Sequence, residues 1–132
     1  MKDNNAYIDL IIAACKKISE YINTLDKPAF LGQSMVQSAV LMQLQIVGEI
    51  SKKLDDKTMG EIDVPWKMIA GLRNLISHDY FALELGTIWK IVSENIPQLE
   101  GKLHAYLHAQ GTSYMPPFGN RSPLMDDSEK SA

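Results

Sequence analysis

Cys15 is the only cysteine in this 132-residue chain, so no internal disulfide can brace the fold. The longest uninterrupted apolar runs are a few residues, far short of the roughly 18 to 20 that span a bilayer. No basic, apolar signal segment opens the chain. These absences lead us to expect a protein of the reducing cytoplasm with no membrane contact. Positive charge is also scarce: 16 acidic residues against 13 basic ones leave a formal charge of −3. That excludes a generally basic, sequence-indifferent nucleic-acid binder and confines any nucleic-acid contact to a local patch. Gly32, Gly48, Gly60, Gly71 and Gly86 form no phosphate-cradling loop of the Walker type, so no nucleotide cofactor is expected. There is no internal repeat and no convincing strand-like alternation.

What the chain does have is apolar residues at helical spacing. With 45% hydrophobic content, one compact domain with a single core is expected. Tyr7, Leu10, Ile11, Ala14, Cys15, Ile18, Tyr21, Ile22 and Leu25 recur at three and four, the mark of an amphipathic helix that Asp26-Lys27-Pro28 should end. A second helix is expected from about Phe30 to Leu54. Val36, Val40, Val47, Ile50 and Leu54 line one side of it and Leu41 and Leu44 point toward another, which suits a central helix or an oligomer seam. Asp55 to Asp63 reads as a connection, and Pro65 is placed for the first turn of a third helix carrying Trp66, Ile69, Leu72 and Ile76. The series Leu85, Ile88, Trp89, Val92, Ile96, Leu99, Leu103, Tyr106 is helical again, with Pro97 a kink or restart. The fold class expected is all-α, an up-down bundle of four or five helices over residues 1–110. Residues 111–132 form a Pro/Gly/Ser-rich tail in which Tyr114, Met115, Phe118 and Leu124 could anchor against a groove.

The chemistry concentrates in Arg73-Asn74-Leu75-Ile76-Ser77-His78-Asp79-Tyr80, which sets a fixed cation, a titratable imidazole and a phenol within about two helical turns. At about 100° per residue, Tyr80 and Ser77 fall on the face of Arg73, whereas His78 lies roughly 140° away. Arg73 and His78 therefore converge only if the helix ends or distorts near Asp79, or if a second copy brings two segments together across one cleft. Such a set suits RNA cleavage without a metal, in which the 2′-hydroxyl attacks the adjacent phosphorus. Arg73 would neutralise charge on the phosphorane, His78 would move the proton, Asn74 would orient the phosphate or the histidine, and Tyr80 would donate a hydrogen bond. A purely structural reading also exists: a surface ion pair or helix cap for Arg73 and His78, and core packing for Tyr80-Phe81.

The segment has the form Arg-x4-His-x-Tyr with a polar residue after the arginine, and from about Tyr7 to Leu107 the chain resembles the HepT-like branch of the HEPN superfamily. The matching blocks are Tyr7-Ile8-Asp9, Lys16 to Ile22, Gln45-Ile46-Val47-Gly48-Glu49-Ile50, Val64-Pro65-Trp66 through Asn74, and then Phe81, Trp89 and Ile96-Pro97-Gln98-Leu99. Gly71 in the fourth block would let helices approach closely. The resemblance implies a homodimeric HEPN ribonuclease toxin paired with a small nucleotidyltransferase antitoxin of the MntA type. It makes Arg73 and His78 the catalytic pair and Tyr80 the hydroxyl that receives AMP, silencing the toxin. The alternative it leaves is a catalytically quiet HEPN subunit that binds or regulates a nucleotidyltransferase. Two departures stand out. Met42 and Gln45 replace an arginine and a glutamate usual in the second helix, so a polar contact is expected to be missing there, and the tail exceeds the usual domain.

Elsewhere, His104 and His108 lie four apart, but Ala105 follows the first where a zincin has glutamate, so they are expected to be solvated helix-face residues and no metal site is expected. Lys52, Lys53, Lys57 and Lys67 flank the connection before the third helix, either as a guide for RNA or as a solvated loop.

Overall fold

A computed structural model describes residues 4–117, and within them every regular element is helical. The chain runs through α1 (Asn4–Ile22), α2 (Lys27–Leu31), α3 (Ser34–Ser51), α4 (Asp56–Glu61) and α5 (Trp66–His78). A 3₁₀ turn (Tyr80–Ala82), α6 (Leu85–Lys90), a π turn (Ile91–Asn95) and α7 (Ile96–Ala109) follow. The last three are continuous, so four long rods dominate, as the periodicity anticipates. Contacts between α3 and α5 pair Gln45 with Ser77 and Glu49 with Arg73, which makes those rods antiparallel. Asn4 meets Asp55 at one end of the α1–α3 pair, and Lys16 meets Glu100 across α1 and α7. The result is an up-down bundle. Its core holds Ile8, Ile11, Ile12 and Ile18 of α1, Val40, Leu44 and Val47 of α3, and Leu99, Leu103 and Leu107 of α7.

The second expected helix is in fact two. Asp26 does not merely end α1, which stops at Ile22; its side chain accepts a hydrogen bond from the Ala29 N–H at 3.0 Å and starts α2, with Pro28 in its first turn. Gln37 then donates to the carbonyls of Phe30 and Leu31, satisfying the end of α2 and holding it against α3. Likewise the expected connection contains α4, because the Asp55 carboxylate accepts from the Thr58 N–H at 2.8 Å. Pro65 precedes the first residue of α5, and the Trp66 indole fixes that entry by donating to the carbonyls of Met59 and Ile62. Within the chain α3 packs as a central helix, against both α1 and α5.

Pro97 is accommodated without a break. The π turn directly upstream widens the helix where the missing proline N–H would otherwise leave the ladder incomplete, and the Ser93 hydroxyl donates to the Trp89 carbonyl at 2.7 Å. At the other end, Gly111 has φ +80°; its N–H bonds the His108 carbonyl, and that of Thr112 bonds the Leu107 carbonyl. This is a Schellman close, and it turns the chain back over α1 and α7. Tyr114 packs on the core edge there and the Met115 N–H donates to Asp9. Phe118 and Leu124 lie outside the described residues.

The close helix approach is made by Gly48 and not by Gly71. A Cβ on Gly48 would stand 2.8 Å from the Arg73 nitrogen and 3.0 Å from the Ile69 carbonyl oxygen, whereas one on Gly71 would meet nothing within 4 Å. Gly71 sits on the outward face of α5, the face a 100° rotation per residue assigns it once Ile69, Leu72 and Ile76 point inward.

Candidate active site on helix α5

The ladder between α3 and α5 decides where Arg73 points. Gly48 lets α5 settle against α3, which brings Glu49 and Gln45, four residues apart, opposite Arg73 and Ser77, also four apart. Arg73 Nε lies 3.4 Å from a Glu49 carboxylate oxygen, and its Nη1 donates to Asn74 Oδ1 at 3.2 Å. Gln45 Nε2 donates to the Ser77 hydroxyl at 2.9 Å. Gln45 thus makes a polar contact of its own, with Ser77, while Met42 stands exposed and has no polar group to offer. The partnership of Glu49 with Arg73 escaped the sequence reading, although the matching four-residue spacings on two amphipathic helices were its visible trace.

Helix α5 continues without distortion through His78 and ends at Asp79, whose N–H bonds the Leu75 carbonyl. Asp79 closes α5 and makes no side-chain cap for the following turn. Two consequences follow. His78 stays roughly 140° round the helix from Arg73, on the outward face it shares with Asn74, so one chain does not bring the pair together. Tyr80 leaves the helix altogether, so the shared face expected for Arg73, Ser77 and Tyr80 is reduced to Arg73 and Ser77. The His78 side chain is exposed and has no hydrogen bond, ion pair or ring contact among the described residues.

Tyr80 and Phe81 are not core residues. Phe81 is 101% exposed and Tyr80 about half exposed; their rings stand nearly perpendicular with centroids 5.5 Å apart. The Tyr80 hydroxyl makes no hydrogen bond among the described residues. Lys52, Lys53, Lys57 and Lys67 are all exposed, and Lys67 lies on α5 about 120° round from Arg73, on the His78 side.

The other histidines belong to a different setting. His104 Nε2 lies 3.2 Å from Glu100, which Lys16 approaches at the same distance, so His104 is half-buried in a polar network and is not a solvated residue; His108 is exposed. Burial pushes the Cys15 thiol far above its ordinary range, with the Glu100 carboxylate adding to the shift, so it is an inert core group. No helix among the described residues is long and apolar enough to cross a membrane.

The bundle, with Arg73 and His78 on one helix, defines a class of small helical domain, and comparison with known proteins gives that class a name. The sequence profile described as "Ribonuclease HepT-like" matches residues 11–105. A Methanocaldococcus jannaschii protein whose name marks it as an inferred RNase is 31% identical over 100 residues, 75% of this chain and 92% of that protein. A Thermococcus cleftensis protein named as a probable ribonuclease HepT is 32% identical over 102 residues, 76% of this chain and 93% of that one. An inferred RNase of Caldanaerobacter subterraneus subsp. tengcongensis is 29% identical over 111 residues, 83% of this chain and 99% of its own length. No solved structure matches the chain. The chain belongs to the HepT-like ribonuclease family.

Proposed function

We propose that this protein is a ribonuclease toxin whose cleavage centre is completed when two copies pair, and that a nucleotidyltransferase antitoxin silences it by placing AMP on Tyr80. One observation carries the pairing: Arg73 and His78 diverge on an unbroken helix, yet both are accessible and His78 has no partner among the described residues. A second copy related by twofold symmetry supplies the missing neighbour. The surface for that pairing is the outward ridge of α3, where Met35 is 86% and Met42 57% exposed, one seven-residue step apart and beside the Arg73 ladder.

In the cleft, Arg73 grips the scissile phosphate. Its pairing with Glu49 is a solvated surface contact worth about 0–1 kcal/mol, so a phosphate can displace it. One His78 takes the proton of the 2′-hydroxyl as O2′ bonds to phosphorus; the P–O5′ bond breaks, and the second His78 gives its proton to the leaving O5′. The products are a 2′,3′-cyclic phosphate and a 5′-hydroxyl, and no metal is called on. Asn74, already bonded to Arg73, steadies the guanidinium. For silencing, the Tyr80 oxygen attacks the α-phosphorus of ATP, pyrophosphate leaves, and the phenol proton is lost to solvent. The resulting phosphodiester adds bulk and negative charge two residues from His78.

Cleavage of RNA by wild type beside Arg73→Ala and His78→Ala tests the centre, with end-group analysis of the products. Equal cleavage by all three would sink the assignment. No cleavage of any RNA by wild type would instead favour the quiet regulatory subunit. For Tyr80, intact mass after incubation with the partner and ATP should show one AMP on wild type and none on Tyr80→Phe.

A further inference from the structure

Between the 3₁₀ turn and the start of α3 lies an open cleft lined by Ser34, Gln37, Ser38, Tyr80, Phe81 and Leu83. No cation among the described residues lines it, and Asp79 and Glu84 bracket the turn in sequence, so a phosphate is poorly suited to it. Its walls suit a flat, uncharged ring. Tyr80 and Phe81, at an interplanar angle of 79°, form a corner that offers the face of one ring and the edge of the other. Phe81 is highly exposed, which leaves the ring surface not met by Tyr80 available for stacking. Opposite, the hydroxyls of Ser34 and Ser38 make no hydrogen bond among the described residues. Gln37 spends both of its donor bonds on Phe30 and Leu31, and its side-chain carbonyl oxygen accepts no hydrogen bond among the described residues.

We propose that this cleft is a nucleobase subsite, in which a base flanking the scissile phosphate of a single-stranded RNA stacks on Phe81, a proposal that rests on the ribonuclease reading of Arg73 and His78. Phe81 follows His78 by three residues, so a base held there lies next to the outward face of α5. The larger purine ring stacks over more of Phe81, so adenine should be held better than uracil. Unpaired polar groups around an exposed ring fit RNA, where bases are splayed out, stacked on aromatics and hydrogen-bonded at their edges.

Binding of 2′-O-methyl oligoadenylate and oligouridylate to otherwise intact protein tests this without cleavage, since these strands lack the attacking hydroxyl. Phe81→Ala and Phe81→Leu should each weaken oligoadenylate binding by about 5- to 150-fold and remove the preference over oligouridylate, whereas Phe81→Trp should retain both. Unchanged binding by Phe81→Ala, or full retention by Phe81→Leu, overturns the proposal, as does an absence of binding by wild type. A fall in binding that tracks loss of dimer in sedimentation would assign Phe81 to the contact between copies and overturn it too. The cleavage assays of Arg73→Ala and His78→Ala read the catalytic assignment separately, so failure of either reading is distinguishable from failure of the other.

Discussion

The two flanks of the bundle use the same residue types in opposite ways. On the α1–α7 flank, Lys16 and His104 each approach Glu100 at 3.2 Å, and the Tyr114 ring lies 5.3 Å from the Lys16 ammonium and edge-on to His104 at 5.9 Å. The returning chain covers this network and ties down through Met115 and Asp9. On the α3–α5 flank, His78 has no partner among the described residues, Arg73 meets one loose carboxylate and the adjacent Asn74, and Met35, Met42 and Phe81 face solvent. Local stability is served where charges and rings satisfy one another within the chain. The proposed site lies where they do not.

The largest test of this contrast is a pair of histidine substitutions. His78→Ala should lower RNA cleavage by about 10²- to 10⁴-fold, the usual share of a general acid or base, while His104→Ala should leave the cleavage rate near that of wild type. Equal losses would break the distinction between the flanks. Next comes a pair of glycines. Gly48→Ala should cost about 1–3 kcal/mol in denaturant unfolding, because backbone of α5 must move away from the new methyl group. Gly71→Ala should add about 0.5–1 kcal/mol, since the methyl group meets nothing and the helix gains propensity. The same sign for both would mean that α3 and α5 do not meet where described.

On the closed flank, Tyr114→Ala should lower stability by about 0.5–1 kcal/mol through loss of the ring over Lys16, with cleavage unchanged. Burial, then Asp9 and Glu100, raise the Tyr114 phenol above its ordinary 10.0. A raised folded pKa favours the protonated form in the folded chain. Its stabilisation is therefore complete below pH 10.0 and is lost as pH rises through the folded value. Thermal unfolding followed across that range should show this loss in wild type and a smaller one in Tyr114→Phe. The smallest effect concerns Cys15: an alkylating reagent should label it only at the rate of unfolding, and rapid labelling of folded protein would show that the α1 core is open.

The helices that carry the two flanks could be read before any coordinates, but the contrast between the flanks could not. The three-four spacing of Ile11, Cys15 and Ile18 locates α1, Gly111 marks where α7 ends, and Pro97 flags the irregular turn beside it. The misreadings share one cause. Asp26 and Asp55 look like helix stoppers in the chain, but whether an aspartate ends one helix or starts the next depends on which backbone N–H it reaches. Gly71 and Gly48 are indistinguishable as residues, and only the packing of α3 on α5 shows which one a neighbour touches. Of the two readings of Tyr80-Phe81, core packing is the one set aside, because the end of α5 at Asp79 leaves both rings exposed.

Local chemistry along the chain therefore determined the helices, their approximate number and the segment that carries arginine, histidine and phenol, because helical periodicity and side-chain type are properties of neighbours in sequence. Tertiary structure alone decided that Arg73 is drawn toward Glu49, that His78 faces away from it, and that Phe81 stands in solvent. Those facts depend on where α5 stops and which face α3 occupies, and both are set by contacts between residues far apart in the chain.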